Sequence, residues 1–189
     1  MILEGIVTTE NADGSVNVSP MGPLVDDDMN TLVLRPFKTS TTFANLQRTG
    51  EGVFHVTDNV EMLAQAAIGS VDPPPVFLSC DDTSGKILAD ACRWYAFRVD
   101  ECDDREQRAQ IHCTVVARGA LRDFIGFNRA KHAVLEAAIM ATRLHILPAA
   151  QIDDEMRRLA VIVDKTAGEQ ERRALSLLES YIERKRVSL

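Results

Sequence analysis

The sequence predicts a mainly β protein that ends in an α-helical segment. From residue 1 to about residue 121, short stretches of alternating apolar and polar residues are separated by turn residues, which is typical of antiparallel strands. After residue 127 the apolar residues recur at helical spacing. Because the connections between the strands leave little room for βαβ crossovers, we expect a barrel or sandwich and not a Rossmann sheet.

The pattern predicts about six strands, most of them in two hairpins. The first hairpin joins ILEGIVTTE to SVNVS across N-A-D-G, and the second joins CRWYAFRVDEC to QRAQIHCTVVARGAL across DDREQ. The remaining strand candidates are TLVLR (31–35) and GVFHVTD (52–58). Two short helices are predicted between these strands: TTFANLQRT, and NVEMLAQAAIG.

Capping residues mark the ends of the predicted helices. Ser40 or Thr41 can cap the first short helix, and Asp58 or Asn59 the second.

Three longer helices are predicted after residue 127. Asn128 is the expected N-cap of the first, Pro148 separates it from the second, and Gly168 can end the second. We therefore predict two domains: a β domain at 1–124, and a helical extension at 125–189 that packs on the barrel or on a dimer partner.

Charge and composition restrict the class of function. The chain of 189 residues carries a formal net charge of −7, so we expect no nucleic-acid partner and no anionic membrane partner. The N-terminal sequence lacks the basic start and long apolar core of a signal peptide, and no apolar run approaches the roughly 20 residues of a membrane span. These features favour a cytoplasmic protein.

The sequence predicts no metal site. The four cysteines lie ten to twelve residues apart, at Cys80, Cys92, Cys102 and Cys113. Because they form no CxxC pair, we interpret them as reduced, mostly buried thiols. His132 and Glu136 are a local pair of potential ligands, whereas metals usually need three or four converging donors.

The stretch RPFKTSTT (35–42) holds two cations and four consecutive hydroxyl side chains within eight residues. It leads into a predicted helix, whose free backbone N–H groups and hydroxyl donors can cradle a phosphate while Arg35 and Lys38 neutralise it. A solvated turn in which Ser and Thr only cap the helix is the alternative. Composition alone favours neither.

The chain resembles the domain-of-unknown-function 447 (DUF447) family in four segments: NVSPMGP, RPFKTSTTFANLQRTGEGVFHVTDNVEMLAQAAIG, NRAKHAVLEAAIMATR and VDKTAGEQE. That family belongs to the FMN-binding split-barrel group, with flavin reductases and pyridoxamine phosphate oxidases. The resemblance runs from Met1 to about Ile182. It implies a six-stranded split β-barrel, a homodimer with FMN near the subunit interface, and a helical C-terminal extension.

The resemblance also implies the cofactor-binding residues. Contacts to the FMN phosphate and ribityl chain fall on Arg35, Lys38, Thr39, Ser40, Thr41 and Thr42. The strand beside the flavin ring in the relatives corresponds here to Asn17, Ser19, Pro20, Met21 and Gly22. Without the resemblance, SPMGP is more typical of a Pro/Gly-rich turn.

Four further side chains are candidates for contact with flavin or substrate: His55, His112, Trp94 and Tyr95. In strands, a hydrogen-bonded structural histidine and a core aromatic residue are the more common cases. The sequence identifies no catalytic residue. The roles of the NRAKH and VDKTAGE motifs also do not follow from it.

The resemblance implies an FMN-binding flavoprotein, and we expect an oxidoreductase of flavin-reductase type that uses NAD(P)H or a pterin-like cofactor. Two alternatives stay open: a non-catalytic flavin-binding or storage protein, and a ligand-free dimeric protein whose helical extension binds a partner. The expected partners are a small-molecule redox substrate and a second copy of the chain.

Overall fold

The structure, a computed structural model, describes residues 1–69, 71–81 and 83–187. Its strands are β1 (Gly5–Glu10), β2 (Val16–Met21), β3 (Leu24–Val25), β4 (Thr31–Leu34), β5 (Glu51–Val56), β6 (Phe77–Ser79), β7 (Lys86–Leu88), β8 (Arg93–Asp103) and β9 (Gln110–Ala120). Its helices are α1 (Thr41–Thr49), α2 (Val60–Ala67), α3 (Arg129–Ala141), α4 (Ala149–Thr166) and α5 (Glu169–Val187). None of the helices in these ranges is long and apolar enough to cross a membrane.

The chain divides into two compact units. The first contains residues 1–57 and 74–124, and the second contains residues 58–73 and 125–189. The sequence-based division assigned residues 58–73 to the β domain, whereas in the structure they cluster with the C-terminal helices. The reason is that α2 lies between strands in the sequence but contacts α3 and α5.

The first unit is built on one antiparallel sheet of seven strands, in the order β2-β1-β5-β8-β9-β4-β3. The antiparallel split-barrel fold predicted from the sequence is therefore confirmed, as are both hairpins. The strand number differs from the expected six because β3 adds a two-residue strand at one edge. The β6–β7 ribbon is a separate two-stranded sheet that the sequence pattern did not reveal.

The two faces of the main sheet bury different apolar clusters, as the two-residue period of a strand requires. On one face Val7, Phe54 and Phe97 are fully buried. They belong to the larger cluster, to which α1 contributes Phe43 and Leu46. Helix α1 therefore packs on this face of the sheet, where it contacts β1 and β2.

The opposite face of the sheet is covered by the β6–β7 ribbon. Val53 of β5 and Ala96 of β8 pack there against Ile87 of β7. Each of these sheet residues is next in sequence to a residue of the larger cluster, Phe54 or Phe97. The alternation predicted for these strands is therefore present.

Predicted caps occupy the ends of the short helices. Ser40 accepts a hydrogen bond from the Phe43 N–H at 3.2 Å at the start of α1. Asn59 accepts one from the Met62 N–H at 3.0 Å at the start of α2. Gly50 ends α1 in the left-handed conformation, with φ of 67°, which glycine adopts without strain.

The helices of the second unit bury apolar stripes at the predicted spacing. The buried residues of α4 are Ile152, Met156, Leu159 and Val163. The α5 residues Leu175, Leu178 and Ile182 are also buried. The end of α4 differs from the prediction, because Ala167 and not Gly168 is the C-cap residue. Gly168 instead donates its N–H to Glu171 in the first turn of α5, at 2.8 Å from Oε2.

A buried polar cluster joins the elements of the second unit. Lys131 Nζ donates to Glu171 Oε1 at 2.7 Å, to Gln170 Oε1 at 3.0 Å and to the Asp58 carbonyl at 2.7 Å. An ammonium group has three donors, so all of its hydrogen bonds are made. The Lys131 and Glu171 side chains are only 16% and 6% exposed.

The contacts around this cluster give structural roles to residues of the NRAKH and VDKTAGE motifs, which the sequence left without a role. Asn128 accepts from the Lys131 N–H at 3.1 Å and donates to the Thr166 carbonyl at 3.2 Å, so it links α3 to the end of α4. Burial raises the pKa of the Glu171 carboxyl. Hydrogen bonds from Lys131 and from the Gly168 N–H lower the pKa by more than burial raises it, so the pKa lies below its ordinary value. The Glu171 carboxyl is therefore ionised at neutral pH.

Candidate functional site

The hydroxyl-rich stretch forms the connection from β4 to α1. Backbone hydrogen bonds hold it beside the residues that lead into β9. The Lys38 N–H donates to the Gln107 carbonyl at 3.2 Å, and the Ala109 N–H donates to the Pro36 carbonyl at 3.0 Å. The N-terminus of α1 therefore has a fixed position at the edge of the barrel.

The Arg35 side chain has a buried hydrogen-bond donor. Among the residues that the structure describes, its Nε is the single buried side-chain nitrogen or oxygen without a hydrogen-bond partner. Leaving such a group unpaired costs about 1–3 kcal/mol, and more when the group is charged. Because the guanidinium group is permanently charged, an anion is the group that would satisfy it best.

Lys38, in contrast, already has a partner. Its Nζ donates to the Asp104 carbonyl at 2.7 Å and lies 3.8 Å from the Asp104 carboxylate. Both side chains are about half exposed, and exposed ion pairs contribute at most about 1 kcal/mol. Lys38 can therefore leave Asp104 for a stronger anion at little cost.

The four hydroxyl side chains of the stretch have different environments. Ser40 is the N-cap of α1, as the capping interpretation predicted. Thr39 and Thr41 are exposed and accessible to a ligand. Thr42 is only 2% exposed, and its Oγ1 accepts a hydrogen bond from Asn17 Nδ2 at 3.0 Å. Two of the predicted site segments, the β2 strand and the start of α1, are thus brought together.

The Asn17–Thr42 contact belongs to a larger polar network below α1. Thr9 Oγ1 accepts from Asn17 Nδ2 at 3.2 Å and from Asn45 Nδ2 at 3.0 Å. Asn45 Nδ2 also donates to Asn11 Oδ1 at 2.8 Å. Thr9 and Asn45 were not identified from the sequence. A signal was present at Asn45, since Asn is a poor residue for the middle of a helix unless its side chain has a partner.

The other β2 candidates lie along an edge strand whose side chains are all half buried. Pairing with β1 sets Asn17 opposite Thr9, Ser19 opposite Val7 and Met21 opposite Gly5. Asn17, Ser19 and Met21 therefore share the face of the sheet that carries α1, and Pro20 lies on the other face.

Gly22 follows β2, and neighbouring residues of the same chain leave no room for a side chain at this position. A Cβ atom there would lie 2.8 Å from Glu4 Oε1 and 2.9 Å from Ile2 Cγ2. The residues before β1 approach the Gly22 backbone closely. Its contact with a cofactor stays a prediction.

His55 is a structural residue. It is fully buried, its Nδ1 lies 3.2 Å from the Ile6 carbonyl, and its Nε2 accepts from the Leu88 N–H at 3.0 Å. Nδ1 therefore carries the proton and the ring is neutral. Burial lowers the pKa of His55 to about 4, although the hydrogen bond to the Ile6 carbonyl opposes that change.

We expect this histidine to make the free energy of unfolding depend on pH. Between pH 6.5 and 4 the unfolded chain protonates His55 and the folded chain does not, so stability is lost as the pH falls through this window. The loss between pH 6.5 and 5 should be about 2 kcal/mol. Urea unfolding at several pH values measures it. The loss should largely disappear in His55→Gln and persist in His112→Gln, whose histidine is exposed; an unchanged loss in His55→Gln would contradict this account.

The aromatic candidates are also structural. Tyr95 belongs to the larger apolar cluster, with its ring 6.4 Å from that of Phe54. Trp94 packs against the smaller cluster on the other face. It covers Gly119, where a Cβ atom would lie 2.6 Å from Trp94 Nε1.

The cysteines are free, and the structure refines the expectation that they are mostly buried. Cys92 and Cys113 are buried, Cys80 is half buried and Cys102 is exposed. Burial raises the pKa of Cys113 to about 12, so its thiol is protonated and unreactive. No group of three or more His, Cys, Asp or Glu side chains suited to a metal ion occurs in the described ranges.

Family matches cover most of the chain. Residues 3–122 match the family described as "Protein of unknown function (DUF447) N-terminal domain", and residues 128–180 match "Protein of unknown function (DUF447)". The chain belongs to the DUF447 family. The resemblance found in the sequence is thereby confirmed. No protein with a curated function matches this DUF447 chain in sequence.

Solved structures share the fold of this DUF447 protein. An FMN-bound DUF447 protein from Methanosarcina mazei is 20% identical, with 95% of this chain and 94% of that chain covered and a TM-score of 0.82. The styrene monooxygenase flavin reductase from Pseudomonas putida S12 is 17% identical, with 62% and 78% covered and a TM-score of 0.52. Flavoredoxin from Methanosarcina acetivorans is 12% identical, with 63% and 68% covered and a TM-score of 0.54. At these identities the likeness establishes the fold.

Proposed function

We propose that this chain binds FMN. The observation that carries the proposal is the buried, unpaired Nε of Arg35, a permanent cation in the same connection as the exposed Thr39 and Thr41 and the N-terminus of α1. These groups together fit a phosphate. The DUF447 protein from Methanosarcina mazei, which shares the fold over 95% of this chain, is FMN-bound.

The residues divide between the two ends of the cofactor. Arg35, Lys38 and the hydroxyl groups of Thr39, Ser40, Thr41 and Thr42 would hold the phosphate and the ribityl chain, directly or through a neighbour. Asn17, Ser19, Pro20, Met21 and Gly22 would lie along the ribityl chain and ring. When bound, FMN supplies two-electron redox chemistry, while the protein supplies binding and orientation.

We further propose an oxidoreductase of flavin-reductase type that uses NAD(P)H or a pterin-like cofactor. Its support is the fold shared with the flavin reductase from Pseudomonas putida S12. Anaerobic mixing of the FMN-loaded protein with NADH, and separately with NADPH, tests the nicotinamide part of the proposal. We expect rapid loss of flavin absorbance at about 450 nm with at least one of them. Slow reduction by both would favour a pterin-like donor or a flavin-storage role.

We also propose a cytoplasmic homodimer. Free cysteines support the compartment. Exposed apolar side chains support the assembly, since Met1, Ile2 and Leu24 are 74%, 50% and 39% exposed, and Ile2 pairs with Leu24 in a β-bridge. Sedimentation equilibrium should give twice the 20.9 kDa of one chain, and the mass of one chain would contradict the dimer.

A further inference from the structure

We propose that Thr9, Thr42 and Asn45 are positioning residues that hold the Asn17 side chain as a hydrogen-bond acceptor for the ligand. Asn17 would then contact a donor, either a hydroxyl of the ribityl chain or an N–H of the flavin ring, and not the phosphate. The inference rests on the proposed binding of FMN and assigns one part of that ligand to one side-chain atom.

The orientation of Asn17 follows from its two partners. Its amide nitrogen lies 3.2 Å from Thr9 Oγ1 and 3.0 Å from Thr42 Oγ1. An amide nitrogen has two hydrogens, so both donors are used within the protein. Among the described residues no group donates to Asn17 Oδ1, which leaves this carbonyl as the functional atom that Asn17 can offer a ligand.

The network is held from its far end. Asp13 Oδ1 accepts from the Ser15 hydroxyl at 2.6 Å, and Ser15 Oγ accepts from Asn11 Nδ2 at 2.9 Å. A carboxylate only accepts, so the direction of these bonds is set. Asn11 therefore turns its Oδ1 toward Asn45 Nδ2, at 2.8 Å.

Asn45 connects Asn11 to the buried end of the network. Its amide nitrogen donates to Asn11 with one hydrogen and to Thr9 Oγ1 with the other, at 3.0 Å. The same Thr9 oxygen accepts from Asn17. One connected chain of seven side chains thus runs from the β1–β2 turn to the start of α1: Asp13, Ser15, Asn11, Asn45, Thr9, Asn17 and Thr42.

Burial separates the positioning residues from the contacting one. Thr9, Thr42 and Asn45 are 1%, 2% and 5% exposed, so a ligand has little access to them. Asn17 is half buried on the edge strand. An acceptor cannot hydrogen-bond a phosphate dianion, which also only accepts, and would be repelled by it. The network therefore favours a neutral ligand group with a donor, such as a polyol hydroxyl.

The test compares two isosteric variants on one strand. Thr9→Val removes the hydroxyl that orients Asn17. Thr8→Val is the matched control, since Thr8 is also fully buried but donates to the Lys86 carbonyl at 2.6 Å on the opposite face. Both FMN and riboflavin are titrated, because both carry the ribityl chain and the ring and only FMN carries the phosphate. Thermal midpoints without flavin are recorded for each variant.

We expect Thr9→Val to raise Kd for FMN and for riboflavin by the same factor, about fivefold, the usual effect of one neutral hydrogen bond. Thr8→Val should change either Kd less than about twofold, and Thr9→Ser should restore both affinities because it keeps the hydroxyl.

Three results would overturn the inference. A loss confined to FMN would assign the network to the phosphate. Equal losses in Thr8→Val and Thr9→Val would show that the network only stabilises the fold. Unchanged binding by a folded Thr9→Val would show that the network does not position Asn17 for the ligand. If the unmodified protein binds neither flavin, the proposed function itself fails and the inference fails with it, and this outcome is distinct from the other three.

Discussion

Replacing Lys131 by Met should lower the free energy of unfolding of the helical unit by about 3–5 kcal/mol, the usual effect of breaking a buried ion pair. The change leaves the Glu171 carboxylate, 6% exposed, without its cation. It also removes a hydrogen bond to the Asp58 carbonyl. Urea unfolding followed by far-UV circular dichroism measures the loss, since most helical residues belong to this unit. The single tryptophan, Trp94, reports the β unit separately by fluorescence.

Two further variants make this result specific. Lys165→Met makes the same chemical change at an exposed position of α4, and should alter stability by less than about 0.5 kcal/mol. Lys131→Met combined with Glu171→Leu should recover much of the loss, because neither charge is then buried without a partner. A loss below about 1 kcal/mol for Lys131→Met alone would show that the cluster does not stabilise the unit.

Replacing Arg35 by Ala should raise Kd for FMN by roughly 10- to 100-fold and Kd for riboflavin by less than about threefold. The phosphate distinguishes the two ligands, and a charge-assisted hydrogen bond from Arg35 is expected only to the phosphate. Lys38→Ala should have the same selectivity with a smaller effect, because Lys38 must first leave Asp104. Fluorescence titration with both flavins measures these constants.

Arg108→Ala is the matched control for Arg35→Ala. Arg108 is exposed and lies beside the same connection, with its guanidinium carbon 4.2 Å from the centre of the Phe37 ring. Its removal tests whether any nearby positive charge is sufficient, and we expect less than about a threefold change for FMN. Equal losses for FMN and riboflavin in Arg35→Ala would place the phosphate elsewhere.

Much of the fold was predictable because its signals are local. The stripe of Ile152, Met156, Leu159 and Val163 follows directly from helical spacing and is buried as expected. The caps at Ser40 and Asn128 are single-residue signals that the structure confirms. In each case the residues that set the structure are separated by only a few positions, so a periodic pattern contains the necessary information.

The elements missed by sequence reasoning depend on short or distant signals. Strands β6 and β7 have three residues each, too few for an alternating pattern to be recognised. The membership of α2 in the helical unit depends on contacts far along the chain, such as that between Lys131 and Asp58, 73 positions apart. A single sequence contains no periodic signal for such pairs.

The candidate site shows the same division. The run from Arg35 to Thr42 was visible as composition, and the structure explains which of its members cap a helix, pair with a carboxylate or remain unsatisfied. The support below it, Thr9 and Asn45, was not visible because these residues are 36 positions apart and meet only when α1 packs on β1.

An absorption spectrum of the purified protein from about 300 to 550 nm, before and after titration with FMN, tests the central claim most directly. We expect flavin bands at about 370 and 450 nm, either in the protein as purified or after stoichiometric addition of FMN and removal of the unbound flavin. A protein that is folded by circular dichroism, has no flavin bands and retains no added FMN would contradict the claim that this chain binds FMN.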